Sequence, residues 1–251
     1  MAGYPDRAVS LEALRVVAEA GADVIELGVP YADPLADGPV IREAAQAARA
    51  ANEGGFGLAE TIALAGEFLA AGGAGEAEGA AGGLPPVALM TYLNPIMRMG
   101  LAKAAAEMRA AGVSGVIVPD MPPDAAGPWL AVAGGIDTVF LAAPTSTSER
   151  LAIVGQRSSG FVYCVSTTGV TGERSQLPAD LADLVTAVKA NTSLPVAVGF
   201  GVSTPAQAAL VARHADGVVV GSAAVRRQAD PKALDEFVRS LAAAVHGARA
   251  N

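Results

Sequence analysis

Glu26, Asp33 and Asp37 sit on one short segment, Val24–Pro39, whose surroundings set them apart from ordinary surface acids. Val24, Ile25 and Leu27 read as a short buried strand, and Glu26 lies inside it. A lone carboxylate on an apolar strand is costly to desolvate and tends to carry a shifted pKa. Gly28, Pro30 and Pro34 then stiffen a loop that bears Asp33 and Asp37. A strand-borne acid with a second acid on a rigid loop suits proton transfer on a single substrate. Structural roles compete with this reading. Glu26 could be satisfied by backbone N–H groups, while Asp37 before Gly38-Pro39, and still more Asp33 before Pro34, could be turn residues. None of these explains an acid placed within the strand itself.

A second set of residues suits anion binding. Gly199 and Gly201 follow one strand-like run, Gly221 and Ser222 follow the next, and Gly169–Gly172 has the glycines of a mobile flap. Glycine lets backbone N–H groups approach a phosphate closely, and a helix N-terminus adds a favourable field. One such glycine pair is weak evidence, but two after adjacent strands point to a phosphate site.

The elements that must position these groups are legible as alternating strands and helices. Strand-like runs occur at Ala22–Leu27, Val87–Tyr92, Gly115–Pro119, Thr138–Ala142, Phe161–Ser166, Pro195–Gly199 and Gly217–Gly221. Ala- and Leu-rich helical stretches separate them, the pattern of βαβ units on a parallel sheet. Seven strands are visible where a (β/α)8 barrel needs eight, and 251 residues is close to the ~250 typical of that fold. In such barrels the chemistry gathers where strands end and helices begin. Ser10, Ser146 with Glu149, Thr204-Pro205 with Gln207, and Asp230-Pro231 are expected to open helices. Pro39–Ala51 reads as an extra helix after the acidic loop, and 70–84 as a flexible Gly/Ala-rich linker within a single domain spanning 1–251.

Composition narrows the function. Apolar residues make up 52 % of the chain and charged ones 17 %, so a large core is available. A net charge of −8 and 4 % aromatic residues disfavour nucleic-acid binding. Cys164, the single cysteine, lies in an apolar run and reads as a core residue. Neither His214 nor His246 has a partner at metal-ligand spacing, and no metal is expected. Lys103, Lys189 and Lys232 all fall on helical stretches, so no strand-end lysine offers a Schiff base. The chain shows no signal peptide or spanning apolar segment, as for a soluble cytoplasmic protein.

Val24–Pro39, Leu89–Pro95, Gly169–Gly172, Gly199–Ser203 and Gly221-Ser222 together resemble the tryptophan synthase alpha chain family, in the family's own order along the whole chain. The resemblance implies a (β/α)8 TIM barrel. It implies a lyase that cleaves indole-3-glycerol phosphate to indole and glyceraldehyde 3-phosphate in a retro-aldol reaction. Glu26 would be the general acid/base, and Asp37 would bind the indole N–H. Tyr163 would lie near the catalytic acid, and Thr171 would close toward Asp37. Gly172, Gly201, Gly221 and Ser222 would hold the phosphate, and Tyr92 and Met90 would line the indole pocket. The Asp33 loop, the helix after it and the Asn94-Pro95 turn would face a beta chain in an alpha2-beta2 heterotetramer. The pyridoxal phosphate belongs to that beta chain, and no cofactor is expected here. The family pattern also places a short helix and an apolar first strand before Ala2–Asp6, whereas this chain begins with Met1 at that turn, so the barrel is expected to lack its first strand.

Overall fold

The structure is a computed structural model and describes residues 1–52, 55–72, 83–165, 181–199 and 201–249. Its strands are β1 (Ile25–Gly28), β2 (Val87–Met90), β3 (Gly115–Ile117), β4 (Asp137–Val139), β5 (Leu141–Ala142), β6 (Val162–Val165), β7 (Val196–Gly199) and β8 (Gly217–Val218). Every pairing is parallel, in the order β1-β2-β3-β4 and β5-β6-β7-β8. Only Phe140 separates β4 from β5, so the two ladders share one strand that is interrupted there. Each of the seven strand-like runs of the sequence thus holds a strand. Among the described residues no strand joins β1 to β8, and the Ala2 N–H donates to the Gly28 carbonyl at 2.9 Å on β1.

Strict alternation sorts the strand side chains into two layers. Ile25, Leu27, Val87, Leu89, Val116, Phe140, Val162, Cys164, Val196 and Val198 pack outward with the helices in the main core. Ala88, Ile117, Val139, Tyr163 and Val165 form a second cluster on the opposite face, with Met90, Leu141 and Val219 packed against it. That inner face also carries Glu26, which is level with Ala88, Gly115 and, beyond it, Asp137. Gly and Ala recur on it, at Ala88, Gly115, Ala197, Gly199 and Gly217. Small residues on one face of a closing sheet leave room for the few large ones, Tyr163 and Glu26 among them.

Helix boundaries depart from the sequence expectation in instructive ways. The first helix spans Arg7–Glu19 and is capped by Asp6, which accepts from Val9 N. Ser10 lies inside it, buried, with its hydroxyl accepting from Gly3 N at 3.1 Å. Thr147, not Ser146, caps Ser148–Arg157, because Ser146 Oγ is engaged by the Ala143 N–H. Thr204 caps Pro205–Ala212 as expected, while Gln207 reaches back to Ser203 N. Asp230 accepts from Ala233 N at the start of Pro231–Arg249. Pro39–Ala51 is helical over the range read from sequence. Leu58–Gly72 carries helix two residues past the expected start of the linker, whose residues 73–82 lie outside the described ones.

Candidate active site

Glu26 stands on β1 with its side chain on the inner face, as the period of two requires. Its Oε2 is buried and has no hydrogen-bond partner among the described residues. A purely structural glutamate would have its oxygens satisfied, since an unpaired buried acceptor costs roughly 1–3 kcal/mol. Burial pushes the Glu26 carboxyl up to about 7, opposed by the nearby Met1 amino group and reinforced by Asp37. An acid that titrates near neutrality can both give and take a proton, the requirement for general acid–base work.

Asp37 closes the loop after β1, immediately before helix Pro39–Ala51. Burial raises its pKa, while a hydrogen bond from Tyr92 and the charge of Arg42 act to keep it ionised. Tyr92 is buried at the end of β2. Its hydroxyl accepts the Ala36 N–H at 3.0 Å and donates to Asp37, so it grips the loop at two adjacent residues. Tyr31 packs against the Tyr92 ring at 5.2 Å and its hydroxyl accepts from Asn94 Nδ2, a second tie between the loop and the β2 end. Asp33 is exposed on the same loop.

Tyr163 is buried on β6, near enough to Glu26 for the carboxylate to raise its pKa along with burial. Met90 ends β2 on the inner face with the cluster that contains Tyr163. The structure therefore brings Glu26, Asp37, Tyr92, Met90 and Tyr163 to one end of the barrel. Gly201, at φ 100, and the Gly221-Ser222 turn follow β7 and β8. Ser222 is buried and opens the turn Ser222–Val225. A β-carbon on Gly221 would meet no atom of the described residues within 4 Å. Thr171 and Gly172 lie outside the described residues.

Two further residues belong to this neighbourhood, neither given a role from sequence. Arg42 lies on the helix after Asp37 and faces its charge. Asp120, after β3, accepts from Leu93 N at 2.8 Å beside Tyr92. A cleft of about 520 Å³ lined by Tyr31, Pro34, Arg42, Gln46 and Arg49 lies between the loop and the exposed helix face, away from Glu26. Among the described residues no three His, Cys, Asp or Glu side chains gather as metal ligands. No described helix is long and apolar enough to cross a membrane.

A parallel barrel of strands wrapped by helices, with a buried carboxyl of raised pKa and a tyrosine-held carboxylate at one end, places the protein in the (β/α) barrel class. The family model described as "Tryptophan synthase alpha chain" matches residues 1–248. The chain belongs to the tryptophan synthase alpha chain family. It is 44 % identical over 253 residues to the tryptophan synthase alpha chain of Microcystis aeruginosa, covering 97 % of this chain and 90 % of that one. It is 46 % identical over 259 residues to that of a Caulobacter species, covering 99 % and 90 %. Among solved structures, Mycobacterium tuberculosis tryptophan synthase superposes with a TM-score of 0.85 at 43 % identity, over 97 % of this chain and 89 % of that one. The alpha subunit from Legionella pneumophila gives 0.84 at 31 % identity, over 98 % and 90 %. The fold is accordingly a TIM barrel, and the chain is a lyase of tryptophan biosynthesis that cleaves indole-3-glycerol phosphate.

Proposed function

We propose that Glu26 and Asp37 perform the retro-aldol cleavage, on a single barrel domain spanning 1–251. Breaking the bond between indole C3 and the glycerol carbon requires a proton at C3 and loss of a proton from the adjacent hydroxyl. Glu26 in its acid form protonates C3, which turns the ring into an indoleninium-like cation. Asp37 accepts the indole N–H and stabilises that cation as it develops. The Glu26 carboxylate then takes the hydroxyl proton as the C–C bond breaks and the aldehyde forms, so the enzyme ends as it began. The carboxyl of Glu26, with Oε2 buried and unpartnered among the described residues and a pKa raised to about 7, carries this reading.

Around the pair, Tyr163 flanks the acid, Tyr92 and Met90 line the indole side, and Thr171 closes toward Asp37. Gly172, Gly201, Gly221 and Ser222 hold the phosphate with backbone N–H groups and a hydroxyl. The Asp33 loop, helix Pro39–Ala51 and the Asn94-Pro95 turn face a beta chain, in an alpha2-beta2 assembly in the cytoplasm. Pyridoxal phosphate is the beta chain's, and the alpha reaction uses no cofactor. Steady-state cleavage of indole-3-glycerol phosphate, with and without beta chain, is the test. Glu26→Gln is expected to abolish indole release while glycerol phosphate still binds. If Glu26→Gln also lost affinity for glycerol phosphate, Glu26 would be a structural residue instead.

A further inference from the structure

We propose that Asp120 is a positioning residue for the cleavage reaction, setting the geometry of Asp37 through Leu93 and Tyr92. The proposal rests on the reading of Asp37 as the indole-binding carboxylate. Helix Leu93–Met99 begins directly after β2, and its N-cap position is Tyr92, whose side chain makes no capping bond. First-turn N–H groups have no intrahelical acceptor and need one from elsewhere. Asp120 supplies it from the end of the neighbouring strand: its Oδ1 accepts the Leu93 N–H at 2.8 Å. This bond fixes the turn that carries Tyr92.

Tyr92 passes the constraint on. Its ring is buried, with Tyr31 packed against it, and its hydroxyl is engaged on both sides, by the Ala36 N–H and by Asp37. A phenol has one proton to give. With that proton committed to Asp37, any tilt of the ring moves the carboxylate or breaks the bond. The ends of β3 and β2 and the loop after β1 are therefore linked in series, Asp120 to Leu93, Tyr92 to Asp37. Catalysis is sensitive to such links because small displacements of a reacting geometry are costly. Among the described residues the charged or titratable groups that face Asp37 are Tyr92 after β2, Arg42 from the following helix and Glu26 from β1.

The experiment is a double-mutant cycle on the full chain with beta chain, reading indole release across pH. Asp120→Ala is expected to lower kcat about tenfold while KM changes less than about twofold. The acid limb of its pH profile should move to higher pH, since Asp37 loses part of the bond that favours its charge. Asp120→Asn keeps an oxygen for Leu93 N and should recover most of the rate. In a Tyr92→Phe background, Asp120→Ala should cost less than about twofold, the sign of a shared path. Undiminished multiplication of the two losses would overturn the proposal, as would an Asp120→Ala enzyme with lowered thermal stability but unchanged kcat and acid limb. Should Asp120→Ala fail to fold, Asp120→Glu displaces the acceptor by one methylene and is judged by the same criteria. Asp37→Asn separates the two ideas. If it cleaves normally, the reading of Asp37 fails; if it is inactive while Asp120→Ala is normal, only the present proposal fails.

Discussion

A β-carbon placed on Gly199 would stand 2.2 Å from the hydroxyl oxygen of Tyr163 and 2.7 Å from the ring carbon that bears it. The two residues belong to neighbouring strands, β7 and β6, and both face the barrel interior. Glycine is thus required at 199 by its neighbour and not by its own backbone angles. Tyr163 in turn lies close to Glu26, so crowding at Gly199 is transmitted to the acid. Gly199→Ala is expected to destabilise the fold by about 1–3 kcal/mol, the usual cost of overpacking, and to slow cleavage. Replacing the ring in the same background, with Tyr163→Leu, should restore the urea midpoint. A Gly199→Ala protein with normal stability and rate would show that Tyr163 moves aside freely.

The elevated pKa of Glu26 makes stability depend on pH. Below 4.5 the carboxyl is protonated in both folded and unfolded chains, and its burial carries no ionisation cost. Between 4.5 and about 7 the unfolded chain ionises while the folded one keeps its proton, so stability falls across that window and levels off above it. Allowing for partial solvent access at the barrel mouth, the loss is on the order of 2 kcal/mol. Glu26→Gln should therefore match the wild type in denaturant melts near pH 4 and exceed it by that amount at pH 8. Equal stability at both pH values would mean that the folded carboxyl titrates normally.

Cleavage should follow a bell-shaped pH profile in kcat/KM, which reports the free enzyme. In the proposed mechanism the acid form of Glu26 protonates C3, so the rate should fall as pH rises through about 7. The same mechanism needs Asp37 ionised, and because its pKa is raised, the acid limb should lie above the ordinary 3.8. A rate that kept rising beyond pH 8 would exclude the protonated carboxyl as the starting state.

The strands and the extra helix were readable because each is a short β-branched or Ala-rich run between turn residues. Glu26 was readable for a related reason, as the charged residue that breaks such a run. The orientation of each strand was not, because both faces of a parallel barrel are buried and the runs lack alternation of polarity. Only register shows that Ala88, Gly115 and Gly199 share the inner face with Glu26. Caps were displaced where two candidates stood nearby: Ser10 lost to Asp6 because its hydroxyl is held by Gly3 N. Asp120 stands at the end of a strand-like run, but its role is not legible in sequence, since its partner is 27 residues away on another strand end.

Gly201 and Gly221, both proposed to hold the phosphate, differ in what a side chain would cost the protein itself. Gly201 has φ 100, in the left-handed region that side chains rarely adopt, whereas Gly221 has φ −97, outside that region. A β-carbon on Gly221 would also meet no atom of the described residues within 4 Å. Among the described residues nothing demands glycine there, and room for a bound phosphate is the reason the proposed site supplies. Gly221→Ala is accordingly expected to keep or slightly raise the thermal midpoint, by less than about 1 kcal/mol of stability. Its KM for indole-3-glycerol phosphate should rise about tenfold or more, the tenfold corresponding to about 1.4 kcal/mol of lost binding. Gly201→Ala should instead lower stability by about 1 kcal/mol or more through backbone strain. Unchanged KM in a stable Gly221→Ala enzyme would remove Gly221 from the phosphate site.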